Sequence, residues 1–380
     1  MDPEAGMRYR AILRWLLWIL LCPSLLLYGS TAPARELLQD GHFSRGLMVA
    51  PLSHAQFAPA QQRCLPLRAC ERISASAGPA WQLQQWSTAT DIATGQYTQP
   101  DAGAEQWVLQ DRQQRVQKRL LLASGKRDTG DILLEIDGAS EFAARSDDGV
   151  PHYLPDLRNA WPHFLLSQQL DSDRLSQYRQ LHLHGEFRVP VSEGNLQSGY
   201  SRAIHAARLV LAITVRNRFT GNYFWLNLPL YDDRIADAGF GCQKCTDEAD
   251  GQHCRTPSQL QDPGVWHCPE DKVGDQWWHN EKRGTARMIF RLPVQDFLAS
   301  GVQQIAYTDW QVIDVDLLPY VQAGIEAVRQ RHNGRSFPAD LHFYELGLFS
   351  LGWEITGFNH VAAQLRNWQL DAMPHEETGR

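Results

Sequence analysis

The stretch Tyr223–Asp233, YFWLNLPLYDD, is patterned as a β-strand with two committed faces. Phe224, Leu226, Leu228 and Leu230 alternate onto one side, which a sheet buries against a core. Tyr223, Trp225, Asn227 and Tyr231 fall on the other side, where a half-exposed strand ordinarily carries charge. Strand-sized runs recur along the chain at Asp131–Asp137, Trp161–Gln168, Gln180–Val191, Ala206–Arg216, Ala286–Leu292, Ile305–Val315, Leu341–Leu351 and Val361–Leu370. Most alternate with period two, are rich in β-branched and aromatic residues, and are bounded by Gly, Asn, Asp or Pro. This repetition predicts an all-β sandwich. One helix interrupts it: Asp316 is a good N-cap, Leu318, Val321, Ile325 and Val328 share one stripe, and Asn333-Gly334 ends it. It is expected to plug one end of the sandwich or lie along an edge.

The N-terminus carries a different signal. Arg8, Arg10 and Arg14 precede a dense apolar run, Trp15–Leu27, followed by Ala32-Pro33-Ala34. A basic lead, a short apolar run and an A-x-A site predict a secretory signal peptide over residues 1–34, with Met1 or Met7 as the start. The run is shorter than a spanning helix and Pro23 interrupts it, so stable membrane insertion after cleavage is not expected. An uncleaved anchor is the alternative. The mature chain is then secreted or periplasmic. It carries 33 basic and 41 acidic residues, a net charge of −8, without a Lys/Arg cluster, which argues against nucleic acid as a partner. About 345 residues suffice for one large sandwich, and residues 35–373 are expected to form it, with 374–380 as a tail. Residues 48–128, rich in Gln, Ala and Pro, are the least readable.

The opening ELLQDGHFSRGL, with its apolar pair, Asp40-Gly41 turn and Phe43, resembles the first strand of galactose-binding-like jelly rolls, which include many carbohydrate-binding modules. The closing VAAQLRNWQLDAM is similar to the last strand of such domains, which lies beside the first. The resemblance implies a jelly-roll β-sandwich and a glycan partner. It covers about twenty-five residues at the two ends and assigns no binding residue.

Six cysteines remain after residue 34: Cys64 and Cys70, then Cys242, Cys245, Cys254 and Cys268 in a polar, turn-rich excursion over 232–280. An even count outside the cytoplasm predicts disulfides. Tetrahedral zinc on the thiolates, or on His253 and His267, is the alternative. No cofactor is expected beyond such a structural Zn²⁺ or Ca²⁺. Trp266, Trp277 and Trp278 make the excursion a candidate wall of a site.

Three stretches carry candidate chemistry. In QLHLHGEFRV, His182, His184, Glu186 and Arg188 share the face opposite Leu181, Leu183, Gly185, Phe187 and Val189. Two imidazoles and a carboxylate so placed can contact a ligand, bind a divalent metal or pair a base with an acid. The cupin metal site also uses H-x-H, but with a more distant Glu. EIDGASE, Glu135–Glu141, resembles the E-x-D-x-E or E-x-D-x-x-E signature of laminarinase- and lichenase-type jelly-roll glycosidases, but with three residues between Asp137 and Glu141. Its carboxylates lie too far apart for a retaining pair unless the chain bends, and Gly138 is expected to start a turn. In SLGWEITGFNH, Glu354 beside Trp353 is a candidate raised-pKa acid or sugar-hydroxyl acceptor. No nucleophile elbow, P-loop, dinucleotide fingerprint or H-E-x-x-H occurs.

Aromatic rings beside amides and carboxylates suit polysaccharides, whose C–H faces stack on rings while hydroxyls meet polar groups. The sequence therefore predicts an exported, lectin-like carbohydrate-binding protein whose ligand residues are Tyr223, Trp225, Asn227, Tyr231, His182, His184, Glu186 and Glu354. A polysaccharide-cleaving enzyme with Glu354 and Glu186 as candidate catalysts is the second reading. A cell-envelope module that docks a protein through the same aromatic face is the third.

Overall fold

The computed structural model describes residues 34–50, 52, 63–65, 79–100, 104–123, 131–152, 162–194, 205–233, 244–245, 254–255, 288–292, 296–298, 309–331 and 337–375. The strands in chain order are β1 (Arg35–Glu36), β2 (Leu47–Val49), β3 (Arg63–Leu65), β4 (Trp81–Gln84), β5 (Gln96–Thr98), β6 (Ala104–Gln110), β7 (Val116–Ala123), β8 (Ile132–Asp137), β9 (His163–Gln169), β10 (Tyr178–Glu193), β11 (Ala207–Asn217), β12 (Tyr223–Asp232), β13 (Lys244–Cys245), β14 (Cys254–Arg255), β15 (Met288–Arg291), β16 (Gln311–Asp316), β17 (Tyr344–Ile355) and β18 (His360–Pro374). Among the described residues two α-helices join them, α1 (Gly138–Ala143) and α2 (Leu318–Arg331).

Sixteen of these strands form two eight-stranded sheets. The first runs β16-β10-β18-β8-β7-β6-β5, with β1 also paired to β18, and the second runs β15-β12-β11-β17-β9-β4-β2-β3. Side chains from both inner faces interleave in one continuous core that includes Leu181, Leu183, Phe187, Phe224, Leu226, Leu228, Trp353 and Trp368. The fold is thus a β-sandwich, as the alternation predicts, and of jelly-roll type, as the resemblance implied. The first and last strands pair, Arg35 opposite Ala372 and Glu36 opposite Asp371. That is the neighbour relation the resemblance at the two ends implied.

Helix α2 begins where expected. Asp316 Oδ1 accepts from the backbone N–H of Leu318 at 3.1 Å and of Leu181 at 3.0 Å, so one carboxylate both caps the helix and ties it to β10. Its buried stripe of Leu318, Val321, Ile325 and Val328 belongs to the core. At Gly324 a Cβ would stand 2.6 Å from the Phe224 ring, so the helix lies close against β12. It packs against β12, β10 and β15.

Two local expectations are corrected. Tyr231 does not share the face of Trp225. A register shift in the β11–β12 pairing sets Pro229 opposite Val210 but Tyr231 opposite Leu209, so Leu230 is an extra residue and Tyr231 turns inward. There Tyr231 packs edge-on against Trp353 and donates to Ser192 Oγ of the opposite sheet at 2.6 Å. Gly138, expected to start a turn, starts α1 instead, with Asp137 accepting from the N–H groups of Ala139 and Ser140 at its N-terminus. Glu135 then faces out of the first sheet to Arg119 and His360. Glu141 is fully buried and pairs with the equally buried Lys118 at 2.8 Å. The two glutamates of EIDGASE therefore serve different structural contacts and do not face each other.

β13 and β14 form a two-stranded antiparallel pair with Cys245 opposite Cys254 in register. The side chains of all six cysteines, all but the last residue of the expected signal peptide 1–34 and most of the 232–280 excursion lie outside the described residues.

Candidate functional site

The outer face of the second sheet carries a cross-strand row of charge. In the antiparallel registers Asp232 on β12 is opposite Arg208 on β11, Arg208 is opposite Glu354 on β17, and Glu354 is opposite His163 on β9. Leu209 and Trp353, the neighbours of this row, point into the core, so strand alternation sends Arg208 and Glu354 outward. Glu354 Oε1 lies 3.6 Å from His163 Nε2, and Oε2 lies 3.5 Å from Arg208 Nη2. The Glu354 side chain is 22% exposed and that of His163 17%, so this end of the face reaches solvent.

Burial alone would raise the Glu354 pKa. The hydrogen bond from His163 and the charges of Arg208, His163 and Arg291 outweigh it and hold the carboxyl down at about 2. This corrects the expectation of a raised-pKa acid. Near neutrality Glu354 is an ionised acceptor and not a proton donor.

Next to the charged row the face is apolar and low. Pro229, Val210, Gly352 and Leu165 line up across the sheet, and Trp86 joins Val210 and Leu165 in an apolar cluster apart from the main core. The Trp86 ring lies 5.5 Å from that of His163. A third row is small and polar: Asn227, Ala212, Ser350, Ser167 and Gln82. Ser350 Oγ is buried and has no hydrogen-bond partner among the described residues. Beyond it stand Trp225, opposite Thr214, and then Tyr223, whose ring meets Trp225 edge-on at 5.9 Å. Trp225 and Asn227 are each 8% exposed, so little of either reaches solvent. Six residues of β11 separate the Trp225 row from the Glu354 row, about 20 Å along the strand.

His182, His184 and Glu186 are elsewhere. They face outward from β10 in the other sheet, since Leu181, Leu183 and Phe187 fill the core between the two. The carboxylate of Glu186 is already held there: Oε2 accepts from Arg366 Nε at 2.9 Å and Nη2 at 2.5 Å, and Oε1 from Asn367 Nδ2 at 2.5 Å. Burial would raise its pKa, but these hydrogen bonds and the Arg366 charge lower it. Arg366 in turn stacks on Trp310 at 3.9 Å. Glu186 and Glu354 thus leave the sandwich through opposite faces, and no acid–base pair can form between them.

The structure therefore places Tyr223, Trp225, Asn227 and Glu354 on one sheet face, with Glu354 about 20 Å from Trp225, and separates them from Tyr231 and from the β10 group. Sequence reading missed His163, Arg208, Ser350 and Trp86. Only the strand pairing reveals them, because each stands on a different strand from Trp225: Arg208 on the adjacent β11, and Ser350, His163 and Trp86 two or more strands away.

No family model matches the chain, and no curated protein matches it. Among solved structures it is similar to a native family 12 xyloglucanase from Bacillus licheniformis, with a TM-score of 0.33 and 8% identity over 74% of this chain and 97% of that one. It is also similar to the xyloglucanase domain of NopAA, a type three effector from Sinorhizobium fredii in complex with cellobiose, with a TM-score of 0.29 and 11% identity over 74% and 97%. A third is the endoglucanase cel12A from Rhodothermus marinus, with a TM-score of 0.31 and 11% identity over 73% and 95%. TM-scores this low assign no shared family, and no residue role is carried over from these proteins.

Proposed function

We propose that this chain is an exported carbohydrate-binding protein whose ligand lies on the outer face of the second sheet, between Trp225 and Glu354. The observation that carries the reading is the placement of Trp225, Asn227, Ser350 and Glu354 on one sheet face with a floor of small side chains between them. A sugar ring stacks its C–H face on an indole, while its hydroxyls exchange hydrogen bonds with amides, hydroxyls and carboxylates. The ionised Glu354 is a strong acceptor for a sugar O–H.

Among the described residues, the same row argues against a retaining hydrolase. A retaining pair of carboxyls stands about 5–5.5 Å apart. Along this row the carboxylate beyond Glu354 is Asp232, two strands away, with Arg208 between them. Incubating the purified chain with soluble and insoluble polysaccharides, and recording both retention and new reducing or unsaturated ends, tests the proposal. Retention without new ends is the expected result, and new ends would replace it with the enzyme reading. Lack of retention on every polysaccharide would turn the low exposure of Trp225 and Asn227 into support for a face covered by protein.

A further inference from the structure

On the opposite side of the sandwich, independent of the carbohydrate reading, we propose that His182, His184 and Asp314 form a binding site for a divalent transition-metal ion of the zinc type. His182 and His184 are alternate residues of β10, so their imidazoles stand side by side on its outer face, with Cα atoms about 6.8 Å apart. Asp314 on β16 is directly opposite His184. Its Oδ1 lies 2.7 Å from His182 Nε2 and its Oδ2 3.8 Å from His184 Nδ1. Two ligand atoms on a tetrahedral zinc, each about 2.0–2.2 Å from the metal, stand about 3.3–3.5 Å apart. The observed separations bracket that value.

The surroundings favour the same conclusion. The three side chains are 29%, 30% and 60% exposed, so an ion reaches them from solvent and water completes its coordination. Two imidazole nitrogens and one carboxylate suit zinc, copper or nickel, whereas calcium and magnesium prefer an all-oxygen set. β10 is paired on both sides, by β16 and β18, so the backbone beneath the ligands is fixed. Asp371 and Gln369 on β18 are opposite His182 and His184, positions from which a side chain can orient a ligating ring. Two nearby carboxylates are already committed: Asp316 caps α2, and Glu186 is held by Arg366 and Asn367.

Among the described residues no three such side chains already surround one point. Here the direct contact between His182 and Asp314 occupies the gap. Binding replaces that contact by metal–ligand bonds, requires only rotation of partly exposed side chains, and releases to solvent any proton the two groups hold between them.

Titration calorimetry of the full chain with ZnCl₂, and with CaCl₂ in parallel, tests the site. The cysteines are a second possible zinc ligand set, so Co²⁺ absorption, which separates thiolate from imidazole ligation, accompanies each titration. The expected result is one Zn²⁺ equivalent that is absent from H182A/H184A and weakened at least about tenfold in D314N. Any thiolate-bound equivalent should persist in both, and Ca²⁺ should not occupy the site. H184Q, which keeps a polar side chain at that position, should show the same loss if the double variant folds poorly. Equal Zn²⁺ stoichiometry and affinity in wild type and H184Q, or no imidazole-ligated ion in the wild type, would overturn the assignment.

Discussion

Glu354 and His163 stand directly opposite each other on adjacent strands, with 3.6 Å between Oε1 and Nε2 and Arg208 on the other flank of the carboxylate. The relationship fixes an ionised carboxylate at the solvent-reaching end of the candidate face. It also makes that carboxylate a source of pH-dependent stability.

The folded-state pKa of Glu354, about 2, lies below the ordinary glutamate value. Its contribution to folding is therefore fully present above the unfolded-state pKa, near 4.3, and is lost as pH falls toward 2. The shift corresponds to something on the order of 3 kcal/mol. Chemical denaturation of wild type and E354Q between pH 7 and pH 2 should show a gap of that order at neutral pH that closes as acid is added. A gap independent of pH would contradict the assignment of charge.

The buried pair Lys118–Glu141 lies at the end of the core beside α1, and both side chains are inaccessible to solvent. Lys118 also donates to Gln85 Oε1 and to the carbonyl of Thr90, and Glu141 accepts from Ala89 N and Thr90 Oγ1. Burial lowers the Lys118 pKa, while the charge of Glu141 raises it in opposition. Removing one partner strands a buried charge, so K118M should cost about 3–5 kcal/mol in urea unfolding. K118M/E141Q, which removes both charges, should cost less than K118M alone. A double variant no better than the single one would show that the lost hydrogen bonds, and not the stranded charge, set the penalty.

Trp368 is approached closely by two glycines. A Cβ at Gly185 would stand 2.6 Å from its ring, and one at Gly41 would stand 1.9 Å from its backbone oxygen. G185A is expected to destabilise by about 1–3 kcal/mol, as an overpacked core does. G41A should cost more, because a carbonyl in a paired strand cannot move aside as a ring can. Thermal melts of the two variants check the order, and the reverse ranking would contradict this packing.

Tyr231 and Trp225 separate structure from binding. Tyr231 donates its hydroxyl to Ser192 across the core, so Y231F should lower stability by about 1 kcal/mol and leave glycan retention unchanged. Loss of retention in Y231F at a temperature where it is folded would place Tyr231 back on the ligand face.

Much of the fold was legible because alternation is a local property. The runs that became β8 through β12 and β15 through β18 each carry a period-two pattern, and Asp316 announces α2. Strands β4 to β7 were not read, since stretches such as AEQWVLQ and VQKRLLLA bury residues that include Lys118 and mix polar with apolar on both faces. The site was legible only in part. Alternation places Trp225 and Asn227 correctly but fails at Tyr231, where one extra residue reverses the strand. It cannot show that Glu354 meets His163, nor that Glu186 looks the other way, because both facts depend on which strands pair. Asp314, the carboxylate that meets the two imidazoles, was missed for the same reason.

The most direct test of the central claim compares retention on the best-bound polysaccharide for wild type, W225A, S350A, Y231F and H184A, each assayed below its own melting temperature. A ligand on the outer face of the second sheet predicts lost retention in W225A, weakened retention in S350A, and wild-type behaviour in Y231F and H184A. Full retention by W225A, or its loss in H184A, would contradict the account.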